Sequence, residues 1–125
     1  MRRSDEWVVP LPAFRECVVN AVVHRDYTIL GSAVLVEVFD DRVVVTSPGA
    51  LPNHKRPESV LAGGTPRSRN ESMANYLFEC GLMEQRGSGF PRIARAMKTF
   101  NGTAPKLENE RDERWVRVTL LREGA

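Results

Sequence analysis

The sequence predicts an α+β fold, a two-layer sandwich with a mixed, mainly antiparallel sheet and helices on one face. Three observations carry that prediction. A helix over residues 12–27 is apolar nearly all round, yet bears one polar line. Two valine-rich runs follow, joined by a turn so short that the strands must pair antiparallel. Two further helical stretches then lead into a C-terminal hairpin of alternating pattern.

The chain has 125 residues, enough for one domain with a real core. Apolar residues make up 42% of it, which argues against disorder. A formal charge of +2 is too small to imply nucleic-acid binding by itself. No apolar run is long enough to span a bilayer, so no membrane partner is expected. The basic start, Met1-Arg2-Arg3, is not followed by a signal-peptide core. Cys17 and Cys80 fit no C-x-x-C pattern and read as reduced thiols of a cytoplasmic protein.

Residues 1–11 read as a lead-in from an upstream domain, with Pro10 and Pro12 keeping the entry extended. In the helix that follows, Glu16, Asn20 and His24 recur every fourth residue. At about 100° per residue they fall within roughly 80° of one another. The rest of the surface carries Phe14, Cys17, Val18, Val19, Ala21, Val22 and Val23, so the helix should be buried. A buried carboxylate and carboxamide need partners: protein groups, water, a metal ion or a ligand.

Residues 32–40 read as a strand with Val34, Val36 and Val38 on one face. Asp40-Asp41 turns the chain, residues 42–47 form a second strand, and Pro48-Gly49 ends it. Residues 51–69 read as a long loop with one helical turn near 58–61, of the kind that serves as a lid. Asn70 suits the cap of a helix running to Cys80, with Gly81 at its end and Met73, Ala74, Leu77 and Phe78 inward. Gly87-Ser88-Gly89 then opens a helix with Pro91 in its first turn. Its expected inward residues are Ile93, Ala94, Ala96, Met97 and Phe100, and Gly102 follows its end. Residues 106–110 form a short strand; in 115–121, Val116, Val118 and Leu120 alternate with Arg117 and Thr119.

Three short motifs could carry chemistry. Glu16-x-x-x-Asn20 spans one helical turn, about 6 Å. A carboxamide oxygen there can hold Mg²⁺ while the carboxylate orients a water, because magnesium takes few protein ligands. Taken alone, such a pair is more often a hydrogen-bonded polar stripe. Gly87-Ser88-Gly89 before a helix lets backbone N–H groups approach phosphate, with Arg86 and Arg92 adding positive charge. The same glycines also suit an ordinary turn between helices. Ser47-Pro48-Gly49 reads in isolation as a strand-ending turn.

Other patterns fail. His24-Arg25-Asp26 imitates a kinase loop, but Gly31 stands where that loop needs asparagine. No G-x-x-x-x-G-K-[ST] is present, so no P-loop motor is expected. The two histidines form no ligand set with the two cysteines, and Ser88 lacks a hydrolase elbow. Lys55, Arg56, Arg67 and Arg69 read as a solvated or phosphate-facing lid.

The run 15–27 resembles the signature of the C-terminal domain of RecG-related ATP-dependent DNA helicase or transcriptional-regulator proteins. So do Phe39-Asp40-Asp41-Arg42, the run 47–52, Arg69-Asn70 and the run 84–89. That family is similar to the GHKL ATPases, whose fold is the Bergerat sandwich. The resemblance implies that residues 12–125 form a GHKL-like nucleotide-binding domain for ATP and Mg²⁺. Glu16 would be the general base and Asn20 the metal ligand, with His24 on the same polar line. Gly87 and Gly89, with Arg86 and Ser88, would hold phosphates, and residues 50–86 would form the lid. The Ser47 and Gly49 turn would face the base. An upstream AlbA-like or Schlafen-like DNA-binding domain and a homodimer would be partners.

One departure matters. The superfamily places an aspartate where this chain has Ser47. Asp40 and Asp41 sit about 20 Å away, at the other end of the strand. Losing a charged hydrogen bond of about 1.5–3 kcal/mol weakens adenine binding about tenfold to a hundredfold. The expectation is therefore ATP binding with at most slow hydrolysis and no helicase activity. The alternative is a degenerate domain that binds no nucleotide and acts as a dimerisation or regulatory module.

Overall fold

The computed structural model describes residues 2–3, 6–7, 9–29, 31–49, 71–81 and 89–122. The fold is α+β, with helices packed on a four-stranded sheet. Strands β1 (Arg2–Arg3) and β2 (Glu6–Trp7) pair with each other as a small separate ribbon. Helix α1 (Leu11–His24) follows, with Pro12 in its first turn, where a missing N–H costs nothing.

Sequence periodicity carried α1 on to Tyr27, but the helix stops at His24 because Arg25 adopts extended backbone. Asp26 then accepts hydrogen bonds from the backbone N–H and hydroxyl of Thr28, an Asx turn that competes with further helix. Tyr27 folds back and donates its hydroxyl to the carbonyl of Val22, 2.8 Å away. This meets one of the last-turn carbonyls that a helix leaves without an internal partner.

Strands β3 (Leu35–Val38) and β4 (Arg42–Pro48) form the first hairpin, closed by Phe39 N–H on the Arg42 carbonyl at 2.8 Å. Helix α2 (Glu71–Glu79) ends at Gly81, whose φ of 79° favours glycine. Helix α3 (Gly89–Asn101) leads to strands β5 (Lys106–Glu110) and β6 (Trp115–Leu121). The sheet order is β3-β4-β6-β5, and every pairing in it is antiparallel.

The register explains the core. Val43 faces Leu120, Val45 faces Val118 and Ser47 faces Val116, so these residues share the helix-bearing side of the sheet. Onto them pack Ala13, Cys17 and Ala21 of α1, Ile93 and Met97 of α3, Leu107 of β5, and Val9. Val9 lies in the stretch read as a lead-in, yet it is fully buried. Each fully buried side chain of this size contributes roughly 1.5–3 kcal/mol. At the far end of α3, Asn101 donates to the Leu121 carbonyl at 2.9 Å, which ties that helix to β6.

Two residues expected inside are not. Phe78 is 50% exposed, whereas Leu77, also expected inward on α2, does pack against Val23. Phe100 is 44% exposed, because it lies in the last turn of α3, beyond the buried pair Ile93 and Met97. Val36 and Val38 share the inner face as expected, but β3 is the edge strand and both lie open at the rim. The lid segment 51–69 and its helical turn lie outside the described residues, as does the cap Asn70.

Candidate functional site

Helix α1 brings Glu16 and Asn20 together one turn apart. The Asn20 amide nitrogen donates to the Glu16 backbone carbonyl at 2.8 Å and to Glu16 Oε2 at 3.3 Å. Asn20 is buried, and the Glu16 side chain is only 12% exposed. The apolar helix thus meets part of its polar demand internally. Among the described residues no hydrogen bond reaches Asn20 Oδ1.

Helix α3 faces this pair with its N-terminus. A Cβ on Gly89 would stand 2.7 Å from Asn20 Nδ2 and 2.9 Å from Glu16 Oε2. Only glycine fits there without displacing one of the two. Arg92, in the first turn of α3, donates through Nη2 to Glu16 Oε1 and closes an ion pair between the helices. One helix therefore supplies acid and amide, and the other supplies a glycine approach and a cation.

Ser47 sits one strand away, buried, and donates its hydroxyl to the carbonyl of Ala21 at 2.8 Å. Ala21 follows Asn20 directly, so β4 is fastened to α1 beside the acid–amide pair. Gly49 has φ of 100°, a left-handed conformation that glycine adopts freely. Its N–H donates to the Arg114 carbonyl at 2.7 Å, while the Pro48 carbonyl accepts from Asp26 N–H at 3.0 Å. Arg114 also pairs with Asp26 at 3.5 Å. The turn after β4 is therefore held by the segment after α1 and by the β5–β6 hairpin. Cys17 lies under the site; burial and, secondarily, the Glu16 charge hold its thiol protonated far above the ordinary value.

Of the sequence-predicted residues, Glu16, Asn20 and Gly89 meet. His24 closes α1 a further turn along, half-buried. Ser47 bonds to α1 from the sheet side, and Gly49 bonds to Arg114 in the β5–β6 turn. Arg86, Gly87 and Ser88 lie outside the described residues. Sequence reasoning missed that Arg92 pairs with Glu16. The available signal was its place, three residues after a glycine that opens a helix. It also missed Arg114 and the donation from Ser47 to Ala21; contacts between residues so far apart leave no local pattern. Among the described residues no three His, Cys, Asp or Glu gather as a metal cluster, and no helix is long and apolar enough to cross a membrane.

A four-stranded antiparallel sheet with helices packed on one face is a two-layer α+β sandwich, consistent with a GHKL-like fold. Within that class, the chain belongs to the family described as "Putative ATP-dependent DNA helicase recG C-terminal", which matches residues 31–120. Its fold is similar to the crystal structure of the DIP2311 protein from Corynebacterium diphtheriae, with 30% identity and a TM-score of 0.81. That likeness covers 90% of this chain and 23% of the other, so this chain spans about a quarter of that protein's length. No curated protein matches the chain.

Proposed function

We propose that this domain binds Mg-ATP between α1 and the N-terminus of α3 and hydrolyses it slowly at most. The observation that carries this reading is the approach of Gly89 to Asn20 and Glu16, which admits no side chain. A helix N-terminus brought against the acid–amide pair suits phosphate. An amide oxygen with no described partner suits a hard cation that needs few protein ligands. The bound nucleotide would supply the phosphoanhydride bond and the metal its positive charge. Asn20 would offer Oδ1 to the metal, Gly89 would open the backbone N–H groups of α3, and Glu16 would take a proton from water. In the longer polypeptide, the domain would act beside a DNA-binding module as a regulator.

Titration calorimetry with ATP, with and without Mg²⁺, tests this directly. Magnesium-dependent binding supports the reading; no heat at millimolar ATP sinks it.

A second reading has its own support. Glu16 is engaged on both oxygens, by Arg92 and Asn20, and the Ser47 hydroxyl is engaged by Ala21. A site closed on itself in this way suits a module that binds no nucleotide and serves dimerisation or regulation. Sedimentation with and without ATP separates the two: a nucleotide-blind dimer favours the second.

A further inference from the structure

The ion pair between Arg92 and Glu16 bears on how the proposed site would work, and the inference here rests on that reading. Glu16 has Oε1 engaged by Arg92 and Oε2 by Asn20. The strong, charge-assisted bond is the one on Oε1, and while Arg92 holds that oxygen a water competes with the guanidinium for it. Arg92 lies in the first turn of α3, at the end of the helix that favours negative charge. Its planar guanidinium matches phosphate as well as carboxylate, and phosphate carries more charge. The base and the incoming anion thus compete for one cation.

We propose that Arg92 is an exchangeable clamp: it holds Glu16 while phosphate is absent and turns to phosphate when it arrives. The exchange frees Glu16 Oε1 to accept from water. Substrate then switches on its own base, and a water-activating carboxylate is kept capped in the empty site. Arg92 acts as a positioning residue for Glu16 and a binding residue for phosphate.

A double-mutant cycle in Mg-ATP affinity, read by calorimetry on the full chain, tests the exchange. Glu16→Gln should tighten binding roughly tenfold, since Arg92 no longer leaves a carboxylate. Arg92→Gln should weaken it. With both changes together, the effect of Glu16→Gln should shrink to less than about twofold. Simple relief of repulsion between Glu16 and phosphate would instead tighten binding in both backgrounds, and that additive result overturns the clamp. Thermal melts confirm that each variant folds. If Arg92→Gln does not fold, Arg92→Lys takes its place in the cycle, because a lysine cannot hold carboxylate or phosphate by a bidentate fork; tightening by Glu16→Gln that is as large in that background overturns the clamp. Wild-type protein that binds no Mg-ATP overturns the reading of the site itself; wild-type binding with additive effects overturns only the exchange.

Discussion

Gly89 and Asn20 meet across the α1–α3 interface so closely that one methyl group would stand 2.7 Å from the buried amide nitrogen. That contact sets the spacing between the acid–amide pair and the helix facing it. It also makes position 89 the most direct probe of the arrangement.

Gly89→Ala should destabilise the domain. Replacing glycine near a helix start gains at most about 1 kcal/mol of backbone entropy. Forcing a group into packed surroundings costs about 1–3 kcal/mol, and Asn20 has little room to move. The net loss should appear in urea denaturation as a lower midpoint, together with weaker Mg-ATP binding. An unchanged midpoint would show that α3 does not approach α1 this way.

Glu16→Ala should bind nucleotide at least as tightly as wild type, since it too releases Arg92, and lose turnover by about 10²–10⁴, the range of a general base. A phosphate-release assay on purified protein measures this. Equal turnover in the variant removes Glu16 from the chemistry.

Ser47→Ala should lower stability by about 0.5–1.5 kcal/mol, the net worth of its bond to Ala21. Placing an aspartate at this position should cost more. In Ser47→Asp, a carboxylate that cannot donate would face the Ala21 carbonyl in a buried position, and an unpaired buried charge is expensive. Equilibrium unfolding of the three proteins gives the order serine, alanine, aspartate. An aspartate variant as stable as wild type would mean that the serine is not a donor.

The two cysteines should separate cleanly. Exposed Cys80 should react with a thiol reagent in native protein, and buried Cys17 only after denaturation. The Cys17 thiol is held protonated by burial first and by the Glu16 charge second. The unfolded chain therefore loses that proton near 9.0 while the folded chain keeps it. Stability should fall as pH rises above 9.0, by up to about 1.4 kcal/mol per unit from this group. Cys17→Ala should flatten that alkaline slope, and an unchanged slope would assign it to other groups.

Much of this was legible in the sequence because it is periodic. Alternating valines gave the first strand of the hairpin and a valine-rich run gave the second, and Ile93 with Met97 gave the inward face of α3. The 16/20 spacing alone put an acid and an amide on one helical turn. What was not legible depends on competition between local and distant contacts. The Asx turn at Asp26 ends α1 before the apolar pattern does. Phe100 has the right helical phase, but its turn lies past the buried pair. Val36 and Val38 carry the core pattern on a strand that the order of pairing leaves at the edge. Arg92 carries a charge that suits phosphate, and no spacing rule says that a carboxylate 76 residues away in sequence holds it first.

Strand β4 pairs with β6, so the centre of the sheet joins residues 42–48 to residues 115–121. Until the second of these segments leaves the ribosome, the first hairpin has no neighbour on its inner side, and a lone two-stranded hairpin is marginal in water. Synthesis at about 5–20 residues per second makes that delay several seconds long. During it, the β4 edge that β6 will take stays unpaired, and a chaperone that binds extended strands has its clearest opportunity.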